Sequence, residues 1–237
     1  METVSAKNII VKPIKSSAAN ALVRKVHYSG KVVNNSVLHF GVFLNGKLEG
    51  VMSFGSPMDK RKVLPLVKDT AWNGMLELNR MAFSDVLPRN SESRALSIAF
   101  KLIKKHYPHI EWILSFSDGS QCGDGTIYRA SGFVLTQINP NKTLIEFPDG
   151  TRIANMTLTA NWNIDTVAQL CKRLGVEVKP RNISEWRALG GKELDGYQLR
   201  YIYFLNPEAK GRLTCPILPF SEIQKRGAGM YKGEKRT

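Results

Sequence analysis

Residues Met75–Leu102 read MLELNRMAFSDVLPRNSESRALSIAFKL. The first nine, Met75–Phe83, are mostly apolar and of strand length. After Leu87-Pro88-Arg89 the pattern changes period. Asn90 or Ser91 offers a helix cap, Ala95, Ile98, Ala99 and Leu102 share one helical face, and Pro108 ends the run. A strand that feeds a short loop and then a helix is an α/β unit. The helix N-terminus presents unpaired N–H donors and the positive end of a dipole, which suits an anionic ligand. Arg89 and Arg94 add charge there, and the loop contains no glycine.

The rest of the chain is organised around this unit. Lys7–Ile14 fits a short edge strand, which tolerates Pro13. Ser16–Val26 has a serine cap signal and helical spacing at Ala18, Leu22 and Val26. The next segment, HYSGKVVNNS, is a loop by composition. Leu38–Leu44 and Leu48–Phe54 flank Asn45-Gly46, a strong hairpin signal. Glu111–Phe116 is a strand, Thr126–Ala130 a short helix and Phe133–Gln137 a strand. Thr143–Phe147 and Arg152–Thr159 form a second hairpin around Pro-Asp-Gly. Ile164–Leu174 is a helix ended by Gly175, and Tyr197–Leu205 is the last strand. The order predicts an α/β fold: a mixed sheet flanked by helices, with an insertion before the last strand. The expected organisation is a core over residues 1–137, an insertion over 138–196, the end of the core over 197–224 and a flexible basic tail over 225–237.

Charge is the strongest bulk signal. The 237 residues hold 34 Lys plus Arg against 20 Asp plus Glu, a net charge of +14. That balance points to a polyanionic partner, DNA or RNA, rather than an acidic small molecule. Lys172, Arg173, Lys179 and Arg181 in the insertion are the closest basic set, and the expected DNA-binding one. No apolar run approaches the roughly 20 residues of a membrane span, and the first residues lack the apolar centre of a signal peptide. Three cysteines without a CxxC pair suggest reduced thiols, so the expected location is the cytoplasm.

The element order resembles the GNAT acyltransferase fold. There the strand–loop–helix unit holds the pyrophosphate of a CoA-type donor, although its loop is usually Gly-rich and PRNSESR is not. YRASGF, Tyr128–Phe133, is similar to the GNAT segment Tyr-x-x-x-Gly-Phe, in which the tyrosine hydroxyl points at the acyl-transfer centre.

A closer resemblance covers the segments together. HYSGKVV, LHFGVF, ELNRMAFSD, LPRNSESRALS and SFSDGSQCGDGTIYRASGF occur in this order in the Mom proteins, the DNA-modification proteins of bacteriophage Mu and its relatives. The match runs from about His27 to Phe133 and continues more weakly beyond. It implies a GNAT-like transferase that converts the N6 amine of adenine in DNA to N6-(2-amino-2-oxoethyl)adenine (carbamoylmethyl-adenine), protecting phage DNA from restriction. The base would have to be flipped out of the duplex to be reached.

The family's functional positions fall on His27, Tyr28, Arg80, Ser93, Asp118 and Tyr128. An exocyclic adenine amine is a poor nucleophile and needs a base to take its proton. Asp118 is the first candidate base and His27 the second. Tyr128 is the expected acid or orienting group. Arg80 and Ser93 fit donor binding, with Arg89 and Arg94 beside them. A metal reading would gather His27, Asp118 and Asp124, with His39 and Cys122 near, but no ligand spacing supports it, and iron stays a rival only on chemical grounds. Asp124 between two glycines reads equally as a turn residue. A catalytically inactive GNAT-like DNA-binding protein is the alternative. An adenine methyltransferase lacks its motifs here.

The implied product restricts the donor. Plain acetyl transfer gives an amide on N6, not a methylene. Glycyl transfer gives N6–CO–CH₂–NH₂, an isomer of the product. Its free amine can attack adenine C6 through a five-membered ring and expel the amide, leaving N6–CH₂–CO–NH₂. A glycyl donor such as glycyl-tRNA is therefore expected, with acetyl-CoA as the family default.

Overall fold

The computed structural model describes residues 5–27, 29–160, 164–231 and 233–235. Strands β1 (Ile10–Pro13), β2 (Ser36–Leu44), β3 (Lys47–Gly55), β4 (Met75–Phe83), β5 (Trp112–Asp118) and β6 (Val134–Pro140) belong to one sheet. They are interleaved with helices α1 (Ser16–Val26), α2 (Lys60–Val63), α3 (Ser91–His106) and α4 (Thr126–Ala130). Strands β7 (Leu144–Glu146) and β8 (Arg152–Ala154), helices α5 (Asn155–Leu158), α6 (Asp165–Arg173) and α7 (Ile183–Ala188), and strand β9 (Lys192–Glu193) follow. Strand β10 (Tyr197–Phe204), helix α8 (Ser221–Lys225) and the short strands β11 (Met230–Tyr231) and β12 (Glu234–Lys235) complete the described chain.

The large sheet has the order β1-β2-β3-β4-β5-β10-β6. Its first four strands pair antiparallel, and β4 pairs parallel with β5. The sheet is therefore mixed, as the element order predicts, and β10 lies inside it between β5 and β6. Asn45 and Gly46 both take positive φ, 50° and 78°, which a two-residue hairpin turn requires. One sheet face is covered by α1 through Ala19 and Val23, which pack on Val51 and Ala82. An aromatic chain fills the core further on: Phe40 meets Phe54, Phe54 meets Phe100, and Phe100 stacks on Tyr203 at 4.3 Å.

Two compact units divide the chain. One holds Met1–Ser117, Gly125–Gln137 and Leu199–Glu222. The other holds Asp118–Asp124, Ile138–Gln198 and Ile223–Thr237, so it takes in more than the segment 138–196. This second unit has its own core, in which Ile145, Ile153, Leu158, Val167, Leu170 and Trp186 are buried together. The expected hairpin is present, with Ile145 opposite Ile153, but its second strand is short, because Asn155–Leu158 turns into α5.

Part of the span expected as a flexible tail makes contacts. Met230 is buried, β11 pairs antiparallel with β12, and Gly233 N–H donates to the Gly119 carbonyl at 3.0 Å. A buried methionine and ladder hydrogen bonds engage Met230–Tyr231 and Glu234–Lys235 within a span whose composition reads as an arm.

Candidate active site

Ser36 of β2, Ser53 of β3, and Glu77 and Arg80 of β4 fall on one face of the sheet. Gly55 pairs with Glu77 and Ser53 with Arg80, while Phe54 between them pairs with Leu78. Asn79 is the extra residue of a register shift there. A strand that alternates strictly would put residues 77 and 80 on opposite faces. The bulge brings Glu77 and Arg80 to the same face. Gly55 leaves no space at this point: a Cβ would lie 2.0 Å from the Asn35 carbonyl oxygen and 2.6 Å from Asn79 Oδ1. Asn79 Oδ1 accepts from Ser36 Oγ at 3.1 Å.

Arg80 is held by the backbone. Its Nε donates to the Lys31 carbonyl at 3.0 Å and its Nη1 to the Asn79 carbonyl at 2.8 Å. Both acceptors are neutral, so the guanidinium keeps its charge for an anion or a polarised oxygen. That charge acts on two neighbours. Burial, aided by Arg80, pushes His27 down to about 4. Burial pushes Glu77 up to about 7, against the opposing pull of a hydrogen bond from Asn79 and the charge of Arg80. At neutral pH the group therefore contains a neutral imidazole, a fixed cation and a carboxyl poised to exchange a proton.

His27 caps the C-terminus of α1, its N–H donating to the Val23 carbonyl at 3.0 Å. Its Nδ1 lies 2.9 Å from Ser29 Oγ and accepts from the Ser29 backbone N–H at 3.2 Å. A backbone N–H can only donate, so Nδ1 is the acceptor and the neutral ring carries its proton on Nε2. In that form His27 is a donor at Nε2, not a base. His39 is different: it is buried and pairs through Nδ1 with Ser53 Oγ at 2.8 Å, a satisfied sheet residue. Tyr28 lies outside the described residues.

The N-terminus of α3 has no side-chain cap. Asn90 sits at the cap position with φ 70° and makes no cap hydrogen bond. Ser91, buried, turns its hydroxyl back to the Pro88 carbonyl at 2.6 Å, so neither expected cap is made. Ser93 Oγ donates to the Asn90 carbonyl at 3.2 Å, and Arg89 and Arg94 are exposed beside it.

Tyr128 stands on α4. Its hydroxyl donates to the Phe116 carbonyl at 3.4 Å, and its ring packs on Phe133 and Tyr201, each at 5.2 Å. Gly125, just before the helix, has φ 82°, and a Cβ there would lie 2.4 Å from the Tyr201 ring. The second glycine of Gly-Asp-Gly is thus required both by backbone conformation and by close approach to an aromatic ring.

Asp118 ends β5 and belongs to the second unit. Oδ1 accepts from the Ser120 N–H at 3.0 Å and from its hydroxyl, and Oδ2 accepts from Gln121 Nε2 at 3.2 Å and Asn141 Nδ2 at 3.1 Å. Asp124, in the same unit, is buried. Among the described residues no group of three or more His, Cys, Asp or Glu is placed to hold a metal ion. In the basic set of this unit, Arg173 pairs with Asp149 at 2.9 Å and also donates to Thr151 Oγ1, and Lys179 donates to the Ala160 carbonyl. Lys172 and Arg181 are exposed.

The family model described as the Mom protein family matches residues 8–222. The chain belongs to the Mom family. The methylcarbamoylase mom of Escherichia phage Mu is 35% identical over 221 residues, covering 93% of this chain and 85% of that protein. Among solved structures, the Mom chain is similar to FeeM, an N-acyl amino acid synthase from uncultured soil microbes, at 15% identity and TM-score 0.45 over 87% of this chain and 95% of that one. It is also similar to the ribosomal-protein-S18-alanine N-acetyltransferase of Escherichia coli, at 10% identity and TM-score 0.44 over 84% and 94% of the two chains.

Of the residues singled out in the sequence, His27 and Arg80 come together in this Mom chain, and Ser93, Arg89 and Arg94 share the start of α3. Glu77 is the addition that sequence reasoning missed. A lone glutamate inside an apolar strand was its only signal.

Proposed function

We propose that this Mom chain is a transferase that converts the N6 amine of adenine in DNA to N6-(2-amino-2-oxoethyl)adenine. The observation that carries the reading is the 35% identity, over 93% of the chain, to a methylcarbamoylase. The net charge of +14 supports a DNA substrate, since phosphate contacts supply most non-specific affinity.

In the first step, N6 attacks the acyl carbon of the donor. The N6–C bond forms, the bond to the leaving group breaks, and the N6 proton passes to the Glu77 carboxylate and from there to the departing group. Glu77 is the preferred base, because burial tunes it to the working pH. Arg80 and the Nε2–H of His27 supply the donors for oxygen charge that develops on the acyl group. The uncapped start of α3, with Ser93, Arg89 and Arg94, holds the phosphate of the donor. Tyr128 orients the departing group. Asp118, already accepting from four donors, holds its own loop rather than serving as the base.

The donor is a glycyl group on a carrier such as glycyl-tRNA, with acetyl-CoA the family default. Only the glycyl amide rearranges to the carbamoylmethyl product with no added oxidant or nitrogen source. The test is purified protein, DNA and one donor at a time, followed by digestion to nucleosides and mass spectrometry. Modified adenine with glycyl-tRNA alone supports the reading. Modified adenine with acetyl-CoA alone replaces the donor, and an unmodified digest under every donor refutes it.

A further inference from the structure

The connection between β3 and β4 is far longer than a hairpin needs. Antiparallel neighbours are usually joined by about 2–5 residues, yet here residues 56–74 intervene, with α2 inside them. The segment is firmly held. Val67 is buried, Lys68 N–H donates to the Arg212 carbonyl at 2.9 Å, and Arg212 Nη1 donates back to the Lys68 carbonyl at 2.8 Å. Thr70 Oγ1 donates to the Val67 carbonyl at 2.6 Å and accepts from Trp112 Nε1 at 3.0 Å.

Against that anchoring, the segment displays what a core would normally bury. Trp72 is 57% exposed. Lys60 Nζ stands 5.0 Å from the centroid of its ring, a cation–π contact that sets a charge against the indole. Lys60, Arg61 and Lys62 follow one another on α2. Asp59 offsets one of these charges through its 3.0 Å pair with Lys62, which leaves Lys60 and Arg61 as net cations. An exposed indole beside consecutive cations is the arrangement that grips a nucleic-acid strand, with phosphates on the cations and a base on the ring.

We propose that residues 56–74 form a DNA-contacting surface in which Lys60 and Arg61 hold phosphates and Trp72 stacks on an unstacked base. This rests on the reading of the chain as acting on DNA. The surface fits that reaction, because a base drawn out of a duplex leaves neighbours whose ring faces need new partners.

The test is binding of the full chain to a DNA single strand, a DNA duplex and a tRNA, each across a salt series, with thermal unfolding as the control for folding. The Lys60→Ala/Arg61→Ala double variant is expected to lower the log–log salt slope by about 1.8 units on duplex and about 1.4 on a single strand, for two lost phosphate contacts. Trp72→Ala is expected to weaken single-strand binding roughly 5- to 150-fold, the range of one base–aromatic stack, without changing the slope. Trp72→Phe should restore most of the loss. DNA binding by Trp72→Ala within two-fold of the natural chain, or a loss confined to tRNA, would overturn the proposal. Adenine modification is scored separately. A Trp72-dependent loss of DNA binding in a chain that modifies nothing would sink the transferase reading and leave this surface standing.

Discussion

Glu77 and Arg80 are three residues apart on β4 yet face the same side of the sheet, because the register shifts at Asn79. This relationship makes the site. The cation is fixed by two carbonyls, while the carboxyl is buried deeply enough that burial outweighs the pull of the nearby charge. A carboxyl raised in this way suits the base proposed for the N6 proton.

Glu77→Gln tests the base assignment. The rate of the natural chain should rise with pH and level off above about 7, the value to which burial pushes Glu77. The amide cannot accept the proton, and the loss should be about 10²–10⁴-fold. Initial rates across pH 5–9 check this, and a variant within about ten-fold of the natural chain at every pH would transfer the role elsewhere.

Glu77 and His27 should pull stability in opposite directions with pH. Glu77 is raised from 4.5 to about 7, so its contribution is fully present below pH 4.5 and is lost as pH rises to about 7. His27 is lowered from 6.5 to about 4, so its contribution is present above pH 6.5 and is lost as pH falls to about 4. The two slopes nearly cancel between pH 4.5 and 6.5. Relative to the natural chain, Glu77→Gln should gain stability as pH rises through this window and His27→Asn should lose it. The full effect is about 3 kcal/mol for Glu77 at 1.36 kcal/mol per pKa unit, and smaller for the less buried His27, which solvent screens. Urea unfolding at a series of pH values measures both, and slopes of the same sign would contradict the assignment.

Asp118→Ala should destabilise the chain by about 2–4 kcal/mol, because four donors lose their acceptor at once. Asp118→Asn should cost nearly as much, since an amide nitrogen would face donors. Chemical denaturation gives the number. A fully stable but inactive Asp118→Ala would return this residue to the role of base.

In the second unit, Lys172→Ala and Arg181→Ala should each lower the salt slope of DNA binding by about one unit. Arg173→Ala should do less to binding, because its guanidinium is already paired with Asp149 and Thr151. Equal slopes for all three variants would show that the Asp149 pair opens on DNA.

The sheet was largely legible in the sequence. Ser16–Val26, Met75–Phe83 and Thr126–Ala130 are the elements expected, because apolar spacing and glycine punctuation are local signals, although the serine cap expected for the first is not made. The site was legible only in part. Alternation along LELNRM places Glu77 with Asn79 and opposes it to Arg80, and nothing local marks the register shift that regroups them. The partners of Arg173 and Lys179 lie 24 and 19 residues away, so two cations that read as free are already engaged. The contacts of Met230 were not legible for a similar reason. Two-residue strands have no period to detect, and the burial of Met230 depends on distant chain.

The most direct test of the central claim is mass spectrometry of nucleosides from DNA of cells that make this protein and are fed glycine labelled with ¹³C and ¹⁵N. The product should be N6-(2-amino-2-oxoethyl)adenine with both side-chain carbons labelled, the glycine nitrogen bonded to adenine C6 and the original adenine nitrogen in the terminal amide. The Glu77→Gln chain should give little or none. Unmodified adenine alone, or a modified adenine with no label beyond that of the unmodified adenine in the same digest, would contradict it.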